Sequence, residues 1–364
     1  MSRPVDLMRS EVLAQPAYSV ADARGMIKLD AMENPYSWPG ALQQQWLGSL
    51  VNVELNRYPD PGAQNLVRML RTAHGIPDDA GCILGNGSDE LIQMLIMAVG
   101  GSSRPIVAPV PSFVMYEVLA RAVGAEFIGV PLQSDFTLDM PALEHVLRER
   151  RPALFFLAHP NNPTGLCYPE AEVMRLIEIN PGVTVVDEAY APFTDGSFLP
   201  LAGQRSNLMV MRTLSKLGLA GLRLGYLAAT HEWIDALERL RLPYNINSLT
   251  QHSARFALEH RAALEDQART IRGERDRLSE ALAGLPMVLR VFPSQANFLL
   301  FRVQQGQADG LFAGLRERGI LIKNVSRQGG LLVDCLRVTV GSPEENTAFL
   351  EAIRSLEFVS QIGR

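Results

Sequence analysis

The chain has no apolar run long enough to cross a bilayer. Its opening residues, Met1-Ser-Arg-Pro-Val-Asp6, lack the apolar core of a secretory signal. Cysteine is scarce: Cys82, Cys167 and Cys335 stand far apart, at no spacing that suits a metal site or a disulfide framework. These absences point to reduced thiols in a cytoplasmic protein that carries no metal. No basic run marks a nucleic-acid surface, no acidic tail marks a solvated arm, and the net charge is only −5. Repeats and low-complexity tracts are missing too. What remains is an ordinary globular balance, 47% hydrophobic and 20% charged over 364 residues, long enough for two domains with sizeable cores.

Residues 1–50 read as an irregular arm, punctuated by turns at Glu33-Asn-Pro-Tyr36 and Trp38-Pro-Gly40. Such an arm has to pack on a second domain or a second subunit. After an amphipathic helix from about Gln64, short apolar strands alternate with helical segments to about residue 230, and 231–241 reads as a helix before a domain junction near 248. The strand candidates are Cys82–Leu84, Pro105–Ala108, Glu126–Val130, Ala153–Leu157, Val183–Val186, Leu208–Met211 and Leu224–Ala228. Leu91, Ile92, Leu95, Ile96 and Val99 share a helical face, as do Met115, Leu119 and Val123. This alternation predicts an α/β fold with a buried, mostly parallel seven-stranded sheet over residues 51–248. Residues 249–364 read as a smaller α+β domain, opened by a long helix over 248–283.

Candidate chemistry gathers at the strand ends. Lys216 lies in Met211-Arg-Thr-Leu-Ser-Lys216, flanked by Thr213 and Ser215 and followed by Arg223. A lysine that attacks a carbonyl must shed its proton, and a low-dielectric setting with a nearby cation favours that. Gly85-Asn-Gly-Ser-Asp-Glu90 opens a helix, with Ser88 as N-cap and Asp89 behind it. It is either a capped helix or an anion site built on free N–H groups. Phe113 and Tyr116 share a face of the next helix, and Tyr116, with its hydroxyl, is the better candidate to stack on a heteroaromatic ring. The loop His159-Pro-Asn-Asn-Pro-Thr-Gly165 sits where open α/β sheets bind ligands. There Asn162 offers an amide to a phenolate oxygen, and His159 reads as loop structure. Asp187 ends an apolar strand, either capping the next segment or pairing with a pyridinium nitrogen, and Tyr190 stands within reach of the ring. Thr213, Ser215 and Arg223 can hold a phosphate dianion. Together these are the parts of a pyridoxal 5′-phosphate site.

The chain resembles the fold-type I pyridoxal-phosphate aminotransferases, and within them the histidinol-phosphate branch. The resemblance rests on Arg57-Tyr-Pro-Asp-Pro61, Gly85-Asn-Gly-Ser-Asp-Glu90, Asn161-Asn-Pro-Thr-Gly165, Asp187-Glu-Ala-Tyr190, Thr213-Leu-Ser-Lys216, Leu219-Ala-Gly-Leu-Arg223 and Leu336-Arg-Val-Thr-Val-Gly341. It implies that Lys216 binds the cofactor covalently, Asp187 pairs with the ring nitrogen, Asn162 and Tyr190 bond the ring's O3′, and Tyr116 stacks on the ring. Ser88, Asp89, Thr213, Ser215 and Arg223 would hold the phosphate, and Tyr58 would reach the phosphate of a neighbouring subunit in a homodimer with shared sites. Arg337 would bind the substrate's anionic group, helped by Lys323, with Tyr18 and Asn34 lining the pocket. Where the family usually reads Leu-Asn-Ala-Asn-Glu-Asn-Pro, this chain has Leu29-Asp-Ala-Met-Glu-Asn-Pro35, and Lys323 stands where an arginine is common. Both departures touch substrate binding. The implied reaction is transamination between histidinol phosphate and 2-oxoglutarate in histidine biosynthesis. The alternatives are an aromatic or broad-specificity aminotransferase and a decarboxylase of a phosphorylated amino acid. A non-catalytic regulator would need a DNA-binding module for which the chain has no room.

Overall fold

The computed structural model describes residues 3–15, 17, 20–100 and 103–362. Its strands in chain order are β1 (Ile27–Lys28), β2 (Ala80–Asn86), β3 (Ile106–Val110), β4 (Phe127–Pro131), β5 (Leu154–Ala158), β6 (Val183–Asp187) and β7 (Leu208–Thr213). There follow β8 (Leu224–Thr230), β9 (Val288–Val291), β10 (Phe298–Val303), β11 (Ile320–Leu321), β12 (Lys323–Asn324) and β13 (Cys335–Thr339). Seven of them form one sheet in the order β2-β8-β7-β6-β5-β3-β4. Within it β8 runs antiparallel to both neighbours, and the other pairs are parallel. The α/β reading of the sequence therefore holds.

The central strands β5, β6 and β7 are buried along almost their whole length and mostly apolar, because both sheet faces are covered. Side chains alternate across the sheet. Phe155 and Leu157 of β5, with Leu208 and Val210 of β7, enter one core. Leu154, Phe156, Met209 and Met211 enter the other. A second sheet, β12-β13-β10-β9, is antiparallel throughout and carries its own core with Leu278, Leu311, Leu315 and Phe349.

The arm is more ordered than its sequence suggests. β1 pairs in parallel with β11, and Thr339 N–H donates to Leu29 O (2.8 Å), so residues 27–33 run along the smaller sheet. Gly40–Ser49 is a helix, although the sequence reads there as irregular. The segment has no side-chain cap and a run of three glutamines, so it lacks an apolar stripe. Tertiary packing supports it instead: Trp46 Nε1 donates to Ser253 Oγ (2.9 Å), and Trp38 lies 5.5 Å from Phe256. The long helix expected over 248–283 is two helices, Ser248–Glu259 and Arg261–Ala283, which meet at His260.

Candidate active site

The ends of β5, β6 and β7 and the helix Ser88–Val99 surround a cavity of about 410 Å³. Ser88, Asp89, Asn162, Asp187, Tyr190, Thr213, Ser215, Lys216 and Arg223 all line it, as do Ala31, Met32 and Glu33 of the arm. The candidates scattered along the sequence thus converge, because parallel strands deliver their carboxyl ends to one edge of the sheet.

Lys216 follows the end of β7 and donates to Ala31 O (3.2 Å). Behind it the chain turns at Gly218 (φ +116°), where a Cβ would meet Asn34 Nδ2 at 2.8 Å. The amine is pushed down to about 8, first by burial and then by the Arg337 charge, with Arg223 a smaller contributor. Glu33 and Asp89 act in the opposite sense. The cation that matters most is therefore Arg337, which is far away in sequence.

An anion cradle lies on one side of the cavity. Gly87 (φ +85°), not Ser88, occupies the N-cap position, and Ser88 is the first helical residue. A side chain at 87 would strike Arg223, because a Cβ there would lie 2.5 Å from Nη2. Arg223 reaches Asp89 Oδ2 (3.3 Å) and Ser215 Oγ (3.5 Å). Thr213 Oγ1 accepts from Ser215 N–H (3.1 Å) and fixes that turn. The unpaired N–H groups of the first helical turn, two hydroxyls and a guanidinium fit a phosphate dianion. The carboxylate of Asp89 orients Arg223, so its direct offer to an anion is its backbone N–H.

At the far end, Asp187 is buried and accepts from Tyr116 OH (2.6 Å) and Ala189 N–H (3.1 Å). Burial is the main cause that raises its carboxyl to about 6. A protonated ring nitrogen brought into the cavity would offset that cost, which is the second point of fit to pyridoxal phosphate. Glu188, one residue on, serves the opposite side of the sheet, bound to Arg212 (2.7 Å) and Ser197 (2.9 Å).

Some expectations need correction. Tyr116 does not face the cavity: it is fully buried, stacked on Phe156 (4.5 Å between centroids, 7° between planes), with its hydroxyl on Asp187. Phe113 lines the cavity instead. It precedes the helix Met115–Ala122 and lies nearer the end of β3, whereas Tyr116 is in the first helical turn, against the sheet. Asn34 also turns elsewhere. Its amide donates to Leu217 O (3.2 Å) and Gln267 Oε1 (3.0 Å) and accepts from Tyr36 N–H (2.8 Å), which ties the arm to the turn after Lys216. Tyr18 lies outside the described residues.

Arg337 is buried on β13, opposite Lys323 of β12. It donates to Asn162 Oδ1 and to Asp30 O (2.8 Å) and lies over the Phe298 ring (5.3 Å). Asp334, the acid nearest it in sequence, accepts from Gly306 N–H (2.9 Å). Lys323 is exposed. Tyr58 is also exposed and stacks on Tyr244 (4.4 Å). His159 is loop structure, as its sequence setting suggests: its Nδ1 accepts from Tyr168 N–H (3.2 Å). Sequence reasoning missed Glu33, passed over Phe113 in favour of Tyr116, and marked Met32 only as a departure from the family's pattern that touches substrate binding. Proximity to a strand end could have found Phe113, but nothing local points to the arm residues.

Comparison with known proteins agrees with this geometry. The profile of the family "Aminotransferase class I and II" matches residues 25–353. Histidinol-phosphate aminotransferase 2 of Nitrosococcus oceani is 53% identical over 97% of this chain and 98% of its own length. The histidinol-phosphate aminotransferase of Chromobacterium violaceum is 51% identical over 96% of this chain and 97% of its own. Among solved structures, the histidinol-phosphate aminotransferase of Clostridium acetobutylicum superposes with a TM-score of 0.83 at 25% identity, covering 91% of this chain and 98% of its own. The chain belongs to the class I and II aminotransferases and is a pyridoxal-phosphate enzyme of the fold-type I architecture.

Proposed function

We propose that this enzyme transfers the amino group of histidinol phosphate to 2-oxoglutarate, giving imidazole-acetol phosphate and glutamate in histidine biosynthesis. The observation that carries the substrate is near-full-length identity to proteins of that name. The site is consistent with it: the buried Arg337 is bonded to Asn162 of the cavity wall and is a cation suited to phosphate and carboxylate, and Lys323 is its exposed cross-strand neighbour.

Bound in the cavity, pyridoxal phosphate supplies an electron sink for negative charge at the substrate's α-carbon. With it bound, Lys216 Nζ would take up and return the proton at the substrate's α-carbon, a task suited to an amine pushed down to about 8. Asp187 would hold a proton on the ring nitrogen. Asn162 and Tyr190 would bond the ring's O3′, while Ser88, Asp89, Thr213, Ser215 and Arg223 would anchor the phosphate. Phe113 would pack on the ring.

Histidinol phosphate, phenylalanine and threonine phosphate, each with and without 2-oxoglutarate, separate the readings. Turnover of histidinol phosphate that requires 2-oxoglutarate is the expected result. Preference for phenylalanine would make the enzyme an aromatic aminotransferase. Carbon dioxide release from threonine phosphate without an acceptor would make it a decarboxylase.

The same reading includes a cytoplasmic homodimer. Leu47, Val51, Leu55, Tyr58, Leu242, Tyr244 and Leu249 are exposed. They lie on two segments joined by the Tyr58–Tyr244 stack and by Arg241 and Gln251, which donate to Pro61 O and Asp60 O (2.8 Å each). An apolar patch of this kind marks a protein interface. Tyr58 would cross it to the phosphate of the partner's cofactor. Mixing inactive Lys216→Ala subunits with weakened Tyr58→Ala subunits is then expected to create one site with both wild-type residues per heterodimer. Activity after proven subunit exchange should exceed that of either parent, and activity that stays at the parental level would place Tyr58 outside the neighbouring site.

A further inference from the structure

The arm enters the cavity at Ala31-Met-Glu33. Two hydrogen bonds fix the backbone of Met32: its N–H donates to Thr339 Oγ1 (2.9 Å), and its carbonyl accepts from Asn297 Nδ2 (3.0 Å). So held, Met32 has φ +53°, in the left-handed region where glycine or asparagine is at ease and a long side chain is not. Met32 belongs to one buried apolar cluster with Tyr190, Phe298 and Val340, and it is among the residues that line the cavity. Lys216 donates to the carbonyl of the preceding residue, Ala31 (3.2 Å). Any group that reacts at that amine therefore lies beside Met32.

We infer that Met32 is a specificity-determining residue, its thioether favouring a flat unsaturated ring on the substrate's side chain over the carboxylate arm of glutamate. A methionine sulfur makes favourable contacts with aromatic edges and adapts its shape to them. A carboxylate gains nothing from that surface and loses water against it. The strained backbone makes the point sharper, since the position is conformationally suited to asparagine and yet presents an apolar group. The inference rests on the transamination proposed above, in which an imidazole ring and glutamate alternate in one cavity.

The test uses the cofactor-loaded enzyme and compares wild type with Met32→Asn and Met32→Gln. Asparagine suits the backbone and glutamine matches the length, but both replace the thioether with an amide. Each variant is expected to lower the ratio of kcat/KM for histidinol phosphate to that for glutamate by about 3- to 10-fold, mainly through KM. Met32→Asn relieves the backbone but sets an amide in an apolar cluster, so the melting temperature is measured beside the kinetics. An unchanged ratio in both variants overturns the inference. So does an equal loss on both substrates with a lower melting temperature, which would make Met32 a packing residue. A wild type that ignores histidinol phosphate sinks the proposed function separately, and Met32 is then judged on the ratio of phenylalanine to glutamate.

Discussion

Replacing Lys216 by alanine is expected to leave pyridoxal phosphate bound and to lower transamination by about 10⁴-fold or more. A single general base contributes roughly 10²- to 10⁴-fold, and on the proposed mechanism the same amine would also make the covalent link to the cofactor. The anion cradle around Arg223 and the carboxylate of Asp187 do not depend on the lysine, so cofactor binding survives without the link. Borohydride treatment followed by peptide mapping checks both halves. Wild type should be labelled at Lys216 alone and the variant not at all. A label on another lysine would end the assignment.

The depressed Lys216 amine has a pH signature. In the cofactor-free protein it titrates near 8, below its ordinary 10.5. Only the free amine reacts, so the rate of cofactor capture is expected to rise with pH through about 8 and then level off. Stability moves in the same direction. Between about 8 and 10.5 the unfolded chain holds the lysine proton and the folded chain does not, so this group makes the apoprotein more stable as pH rises through that window.

How much of this was legible in the sequence depends on how local each signal was. The strands of the large sheet were readable because burial on both faces leaves unbroken apolar runs such as Leu154–Ala158. Lys216, Asp187 and Asn162 stood out because each is a polar residue at the end of such a run. Tyr116 misled because the three-residue spacing suggests one helical face, whereas the helix begins only at Met115 and Phe113 stands before it. The sheet claimed Tyr116, whose hydroxyl found Asp187. Where Met32 and Asn34 would be placed was illegible for another reason. Their placement depends on β1 pairing with β11, and on Thr339 and Asn297 gripping the chain from about three hundred residues away. No local pattern encodes a contact of that span.

Arg337 joins the two ends of the chain. Its guanidinium holds Asn162 of the loop after β5 and the Asp30 carbonyl of the arm, and its charge is the second cause of the low Lys216 amine. On the proposed reaction, two different anions would come to this side of the site: the α-carboxylate of glutamate, and the phosphate of histidinol phosphate, which has no carboxylate. If Arg337 serves both, Arg337→Ala should cost each half-reaction about 2–5 kcal/mol, the usual penalty for removing one partner of a buried charge pair. Arg337→Lys keeps the charge and loses the fork, so it should recover only part of that. The alanine variant should also shift cofactor capture by the apoprotein to higher pH, since removing a neighbouring cation lets the Lys216 ammonium form persist. Lys323, on the neighbouring strand and exposed, should behave differently, with Lys323→Ala harming the phosphate substrate more than glutamate. Single-turnover kinetics of each half-reaction measure all of these. A folded, cofactor-loaded Arg337→Ala enzyme that turns over both substrates at the wild-type rate would leave Arg337 as a tie between the arm and the Asn162 loop, with no part in holding substrate.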